Sequence, residues 1–140
     1  MPFVEAVRAK ILADPEITSQ LGVYDQGDGE GPSVFTGPRD ILAKGPAIEI
    51  HLDGPGPVDE SWDLRGETQM LTVSVVGQRD GSNRATRKIA QAVHWLFERK
   101  PLSVSGFTDP IVRASTPQGM TEDDWPRFDV TVAVSAFKED

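Results

Sequence analysis

The sequence predicts an α+β domain: a mainly antiparallel sheet of about four strands with two helices packed on one face, in the order α-β-β-α-β-β. Three observations predict it. Residues 69–99 read as a strand, a tight polar break and a long amphipathic helix. Residues 46–52 and 128–136 alternate apolar and polar side chains, the mark of half-buried strands. Residues 3–13 carry an apolar stripe at helical spacing. The links within each strand pair are hairpin-like, which favours antiparallel pairing. The chain of 140 residues fits one domain, spanning 1–140. A chain of that size buries roughly two-thirds of its unfolded surface and needs no covalent staple.

In order, the first helix places Val4, Val7, Ile11 and Leu12 on one side, with Glu5, Arg8 and Lys10 elsewhere. Pro15 ends it or opens a short further turn through Ile17 and Leu21, with Gly22 as a stop. Residues 22–45 read as irregular, and 25–32 are too rich in Gly and charge to pack. Their carboxylates miss the every-second-residue spacing of a calcium loop, and no Gly-Lys-Ser/Thr follows to make a phosphate loop. The strand from Pro46 to Leu52 turns Ile48, Ile50 and Leu52 to the core and Glu49, His51 and Asp53 to the opposite, polar face. Asp53-Gly54-Pro55-Gly56-Pro57 is expected to halt its ladder. A long excursion over 58–67 carries Trp62, Leu64 and Arg65 among carboxylates.

The next strand has Leu71, Val73 and Val75 on one face and Thr72 and Ser74 on the other. The helix from Ser82 spaces Ala85, Ile89, Ala92, Val93, Leu96 and Phe97 as its apolar stripe, and Lys100-Pro101 stops it. Leu102, Val104 and Phe107 suggest a short extended piece, and 111–115 another strand. Residues 116–126 read as a polar connection. In the last strand Phe128, Val130, Val132, Val134 and Ala136 alternate with polar or small side chains.

Composition narrows the function classes. There is no Cys, so neither disulfides nor thiolate metal sites exist, which fits a reducing compartment. The apolar runs are too short to span a membrane, and the first residues lack the pattern of a signal peptide. A net charge of −8 argues against a general nucleic-acid binder. The charge is uneven: residues 79–100 carry six basic and two acidic side chains, hence +4, which leaves −12 on the remainder. Such asymmetry orients like molecules head to tail, although a long helix also favours Arg and Lys on its wet face.

Catalytic patterns are weak. The only histidines are His51 and His94. His51 between Glu49 and Asp53 is a chemistry that binds a divalent metal or acts as a base, but a polar outward face is ordinary for such a strand. His94 flanks the apolar stripe and reads as a partly buried packing residue. No Ser sits in a nucleophile elbow. The sequence therefore points to neither an enzyme nor a cofactor or metal site. Wound at about 100° per residue, the long helix instead places Trp95 with Arg84, Lys88, Gln91 and Arg99 on its wet face. Trp and Arg together are the composition of an interface hot spot. Trp62 and Trp125, each in a polar segment, add to that reading or plug the edge of the core.

These patterns are similar to a known family. Leu12-Ala13-Asp14-Pro15 closing the first helix, Pro46-Ala47-Ile48 leading a strand, and Leu71-Thr72-Val73-Ser74-Val75 carry the resemblance. So do the spaced helix Ala85, Ile89, Ala92, Val93, Leu96 and the closing Phe128-Asp129-Val130-Thr131-Val132. Together they resemble the tail-completion, or tail-terminator, proteins of long-tailed phages and phage-derived particles, including gene-transfer-agent-like particles. The acidic and Gly-rich segments 25–32 and 53–67 depart from the shortest versions of that pattern.

The resemblance implies a structural virion protein rather than an enzyme. It implies a homohexameric ring at the head-proximal end of the tail tube, stopping tube polymerisation and joining the tail to the head-side connector or stopper. DNA would pass through the lumen without sequence-specific binding, and assembly would take place in the cytoplasm of a bacterial host. Arg84, Lys88, Trp95 and Arg99 are then the expected subunit contact, and Trp62, Leu64 and Arg65 the expected tail or connector contact. The alternatives are another neck part, such as an adaptor or stopper, and a small ligand-binding α+β domain using Glu49, His51 and Asp53.

Overall fold

The computed structural model describes residues 2–25, 27, 29–39, 45–55, 66–78, 82–122 and 125–138. Its helices are α1 (Pro2–Leu12), α2 (Pro15–Thr18) and α3 (Asn83–Phe97). Its strands are β1 (Val23–Asp25), β2 (Glu30–Pro32), β3 (Val34–Thr36), β4 (Ala47–Pro55), β5 (Gly66–Val76), β6 (Phe107–Ala114), β7 (Gln118–Glu122) and β8 (Trp125–Lys138). Trp62, Leu64 and Arg65 lie outside the described residues.

The main sheet has six strands in the order β3-β4-β5-β8-β6, with β7 also on β8, and β1 and β2 form a separate antiparallel ribbon. The α+β class holds, but the expected four strands fall short. β8 explains the larger sheet. Its 14 residues pair with β5 along one side. The other side is shared, with β6 against its C-terminal half and β7 against its N-terminal half. Burial along β8 alternates strictly, so one face of every second residue enters the core. Against that face pack Phe3, Val7 and Ile11 of α1, Ile17 of α2 and Ile89, Val93 and Phe97 of α3, in a single apolar cluster with Ile48, Ile50, Leu71, Val73 and Val75.

Three expectations are corrected. Residues 22–45 are not wholly irregular: they hold β1, β2 and β3, and β3 joins the sheet edge parallel to β4, with Val34 opposite Ile48. Three-residue strands are too short to show a period of two, and the flanking Gly and Pro mask them. Gly54-Pro55 does not halt the β4 ladder. A bulge between Leu52 and Gly54 lets the pairing run on to Pro55 opposite Gln69. Among the described residues β3 covers β4 only from Ile48 to Ile50, so β4 runs on as an edge strand, where proline is tolerated. Finally, 116–126 is not a plain connection, because β7 turns back on β8 as a hairpin.

The buried stripe of α3 is also rotated from the expected one. Ala85 is exposed, while Thr86, Ala90 and His94 are buried. Thr86 tolerates burial because its hydroxyl donates to the Ser82 carbonyl at 3.0 Å. Directly beneath it, a Cβ on Gly77 would sit 2.3 Å from Thr86 Oγ1 and 2.8 Å from Pro126 Cγ. The helix therefore closes on the end of β5 because residue 77 has no side chain.

Candidate functional site

α3 opens on Ser82, whose side chain accepts from the Ala85 N–H at 3.3 Å. It closes with Glu98 as C-cap and Arg99 in the left-handed region at φ 55°. The exit is pinned to β6: the Arg99 N–H donates to the Val112 carbonyl at 2.9 Å, and Glu98 Oε1 accepts from Arg113 Nε at 2.9 Å. The helix is thus capped at its start and tied to the sheet at its exit. Arg84, Lys88, Gln91 and Trp95 are all exposed on it, and Trp95 shows 66% of its surface. The structure thus brings Arg84, Lys88 and Trp95 onto one face, as expected, and places exposed Arg99 just beyond the helix end.

Beside Trp95 lies a groove of about 660 Å³ between α3 and the β7 hairpin. Arg87, Gln91, His94 and Trp95 form one wall, Thr116, Pro117, Gly119 and Met120 contribute the other, and Phe128 lies between. Three contacts build it. His94 is buried, and its ring lies edge-on to Trp95 with centroids 4.8 Å apart. Its Nδ1 donates to the Ser115 carbonyl at 2.7 Å, which ties the helix to the approach to β7. The Arg87 guanidinium sits 5.7 Å from the Phe128 ring centroid. A Cβ on Gly119 would come 2.7 Å from that ring, so glycine lets β7 lie close. Met120, half exposed, sits at the rim opposite Trp95. Arg87 and Met120 were missed as site residues. Their joint position depends on β7 folding back, and only an exposed Met between Gly and Thr hinted at it.

The opposite face of the sheet holds the other concentration of charge. Glu49 is buried, not solvated as its place on the polar face of β4 suggests. Arg39, just after β3, supplies both its backbone N–H and its Nη1 to Glu49 Oε2 at 3.0 Å, and His51 Nε2 lies 3.1 Å from Oε1. Arg39 also covers the Trp125 ring at 4.9 Å. Trp125 therefore caps a polar cluster instead of standing free. Asp53 accepts from Thr72 instead of turning to His51, so Glu49, His51 and Asp53 do not converge. Among the described residues, no group of three or more His, Cys, Asp or Glu could hold a metal ion.

Burial alone would raise the Glu49 pKa. The hydrogen bonds from the Arg39 backbone, from His51 and from the Arg39 guanidinium, with the guanidinium charge, outweigh it and hold the carboxyl below the usual glutamate value. A depressed folded-state pKa gives stability that is full above the unfolded value and is lost as pH falls through the folded one. Glu49→Gln should therefore cost about 1–3 kcal/mol at neutral pH. In urea titrations the gap between wild type and variant should close as the pH drops below the glutamate range. A gap that stays constant with pH would show that the carboxylate charge plays no part.

Among the described residues, no helix is long and apolar enough to cross a membrane. No protein-family model matches the sequence, and no curated protein matches it. The fold has solved counterparts. A chain of the virion of a native gene transfer agent (GTA) particle matches it with a TM-score of 0.69 at 17% identity, over 97% of this chain and 95% of that one. A second solved chain matches with a TM-score of 0.61 at 16% identity, over 99% and 93%. At these identities the likeness is one of fold.

Proposed function

We propose that this protein is a structural subunit of a phage-like particle, a tail terminator that forms a ring on the head-proximal end of the tail tube. In that place it stops tube polymerisation and joins the tail to the head-side connector. The observation that carries the reading is the shared fold with a gene transfer agent virion chain, which extends over nearly the whole length of both. The sequence patterns that resemble tail-terminator proteins lie on α1, β4, β5, α3 and β8, the elements that build the core. The surface supports an assembly role. The long helix exposes Trp95 among Arg84 and Lys88, with Arg99 next to it, and a large exposed aromatic beside arginine suits an interface between subunits. An uneven charge suits head-to-tail contact, and such heterologous contacts make rings when the rotation closes.

Electron microscopy of the purified protein tests this, alone and mixed with tail tubes or with portal complexes from its own particle. Six-fold rings, or density capping one end of the tubes, are the expected result. Binding to portal complexes but not to tubes would make it a neck adaptor or stopper. A monomer that ignores both would end the particle reading.

A further inference from the structure

The two ends of the sheet carry surfaces that complement each other. At one end stands β3, and on it rests the β1–β2 ribbon, whose ladder is continued by the Ser33 N–H to the Gly22 carbonyl at 2.9 Å and which packs Tyr24 against Phe35 of β3 with ring centroids 5.5 Å apart. At the other end lies the groove between α3 and β7. In the ribbon, Val23 faces Pro32 and Asp25 faces Glu30 across the strands, so these four share one face. Val23 is 58% exposed, Asp25 and Glu30 are exposed, and residues 22–32 include no Lys or Arg. An isolated two-stranded ribbon is only marginally stable, so it gains from a second surface. The groove and its helix rim offer what this face lacks: the exposed apolar bodies of Trp95 and Met120, the positive charge of Arg87 in the lining, and exposed Arg84 and Lys88 on the same helix outside it. Among the described residues, β7 pairs with β8 alone, so its outer edge is open to another strand, the kind of occupant a β-ribbon supplies.

We infer that the acidic β1–β2 ribbon of one copy docks on the α3–β7 groove of the next copy. Because two different surfaces meet, one at each end of the sheet, the contact is heterologous and forms a ring when its rotation closes. The inference rests on the ring reading and names the partner of its Trp95 face.

Charge exchange in the full-length protein tests it. One variant reverses the helix, Arg84→Glu with Lys88→Glu. The other reverses the ribbon, Val23→Lys with Glu30→Lys. Asp25 is left alone because its carboxylate accepts from the Gly27 and Gly29 N–H groups at 2.8 and 3.2 Å and closes the ribbon's turn. Glu30→Gln, a milder change, guards against a ribbon that fails to fold. Self-association, alone and on tail tubes, is read by native mass spectrometry and electron microscopy. Each reversal should weaken it by about tenfold or more at low salt, and Glu30→Gln by less. An equimolar mixture of the two reversed variants should recover rings, since acidic helix then meets basic ribbon and basic helix meets acidic ribbon. Wild-type rings with ribbon variants that assemble normally, or a mixture that fails to recover, would overturn the ribbon contact and leave the ring reading standing. Wild-type protein that never assembles, even on tubes, would overturn both.

Discussion

Phe97→Ala should lower the stability of the isolated protein by about 3–5 kcal/mol, the largest loss expected from any single truncation in this chain. Among the described residues Phe97 is the largest fully buried side chain, at 0% exposure, in the last turn of α3. Its ring belongs to the apolar cluster that joins α1 and α3 to the sheet, and the Lys10 ammonium lies 5.7 Å from its centroid. Truncation removes the transfer energy of the ring and leaves a cavity that pinned neighbours cannot close. The α3 exit is held by Arg99 on Val112, so the helix end cannot settle inward. Urea unfolding should show a lower midpoint with an unchanged slope, and the melting temperature should fall by about 10 °C or more. A loss under about 1 kcal/mol would mean that the ring is not packed as described.

Trp95→Ala should do the opposite: leave the fold alone and abolish assembly. The side chain is 66% exposed and lies edge-on to the His94 ring. The change in unfolding free energy should stay within about 1 kcal/mol. As an interface anchor, its removal should weaken subunit association by about 2 kcal/mol or more, roughly thirtyfold. Tail tubes mixed with the variant should remain uncapped under conditions in which wild type caps them. A variant that unfolds would make Trp95 part of the core, and one that assembles and caps normally would remove it from the contact. Paired with Phe97→Ala, which acts through stability, it separates folding from assembly two residues apart on one helix.

Much of the fold was legible in the sequence. β5, β8 and α3 are 11, 14 and 15 residues long, and over such lengths a period of two or of 3.6 shows directly which side chains meet the core. The basic helix face with Trp95 followed from the same helical spacing. The groove beside it did not, because its second wall is β7, whose strand character exists only in its pairing with β8. Glu49 shows the same limit from the other side. Alternation placed it on the polar face of β4, but it is buried against Arg39, ten residues away in sequence, whose guanidinium in turn lies on Trp125, 76 residues from Glu49.

The sequence by itself determined the α+β class, the long elements and the exposed Trp95 face, because each is a local periodic pattern of side-chain polarity. Tertiary structure alone decided the edge strands β3 and β7, the burial of Glu49, the close approach at Gly77 and the groove. Each of those depends on which distant segment lies alongside, and that is set by the packing of the whole chain rather than by the pattern of any one stretch.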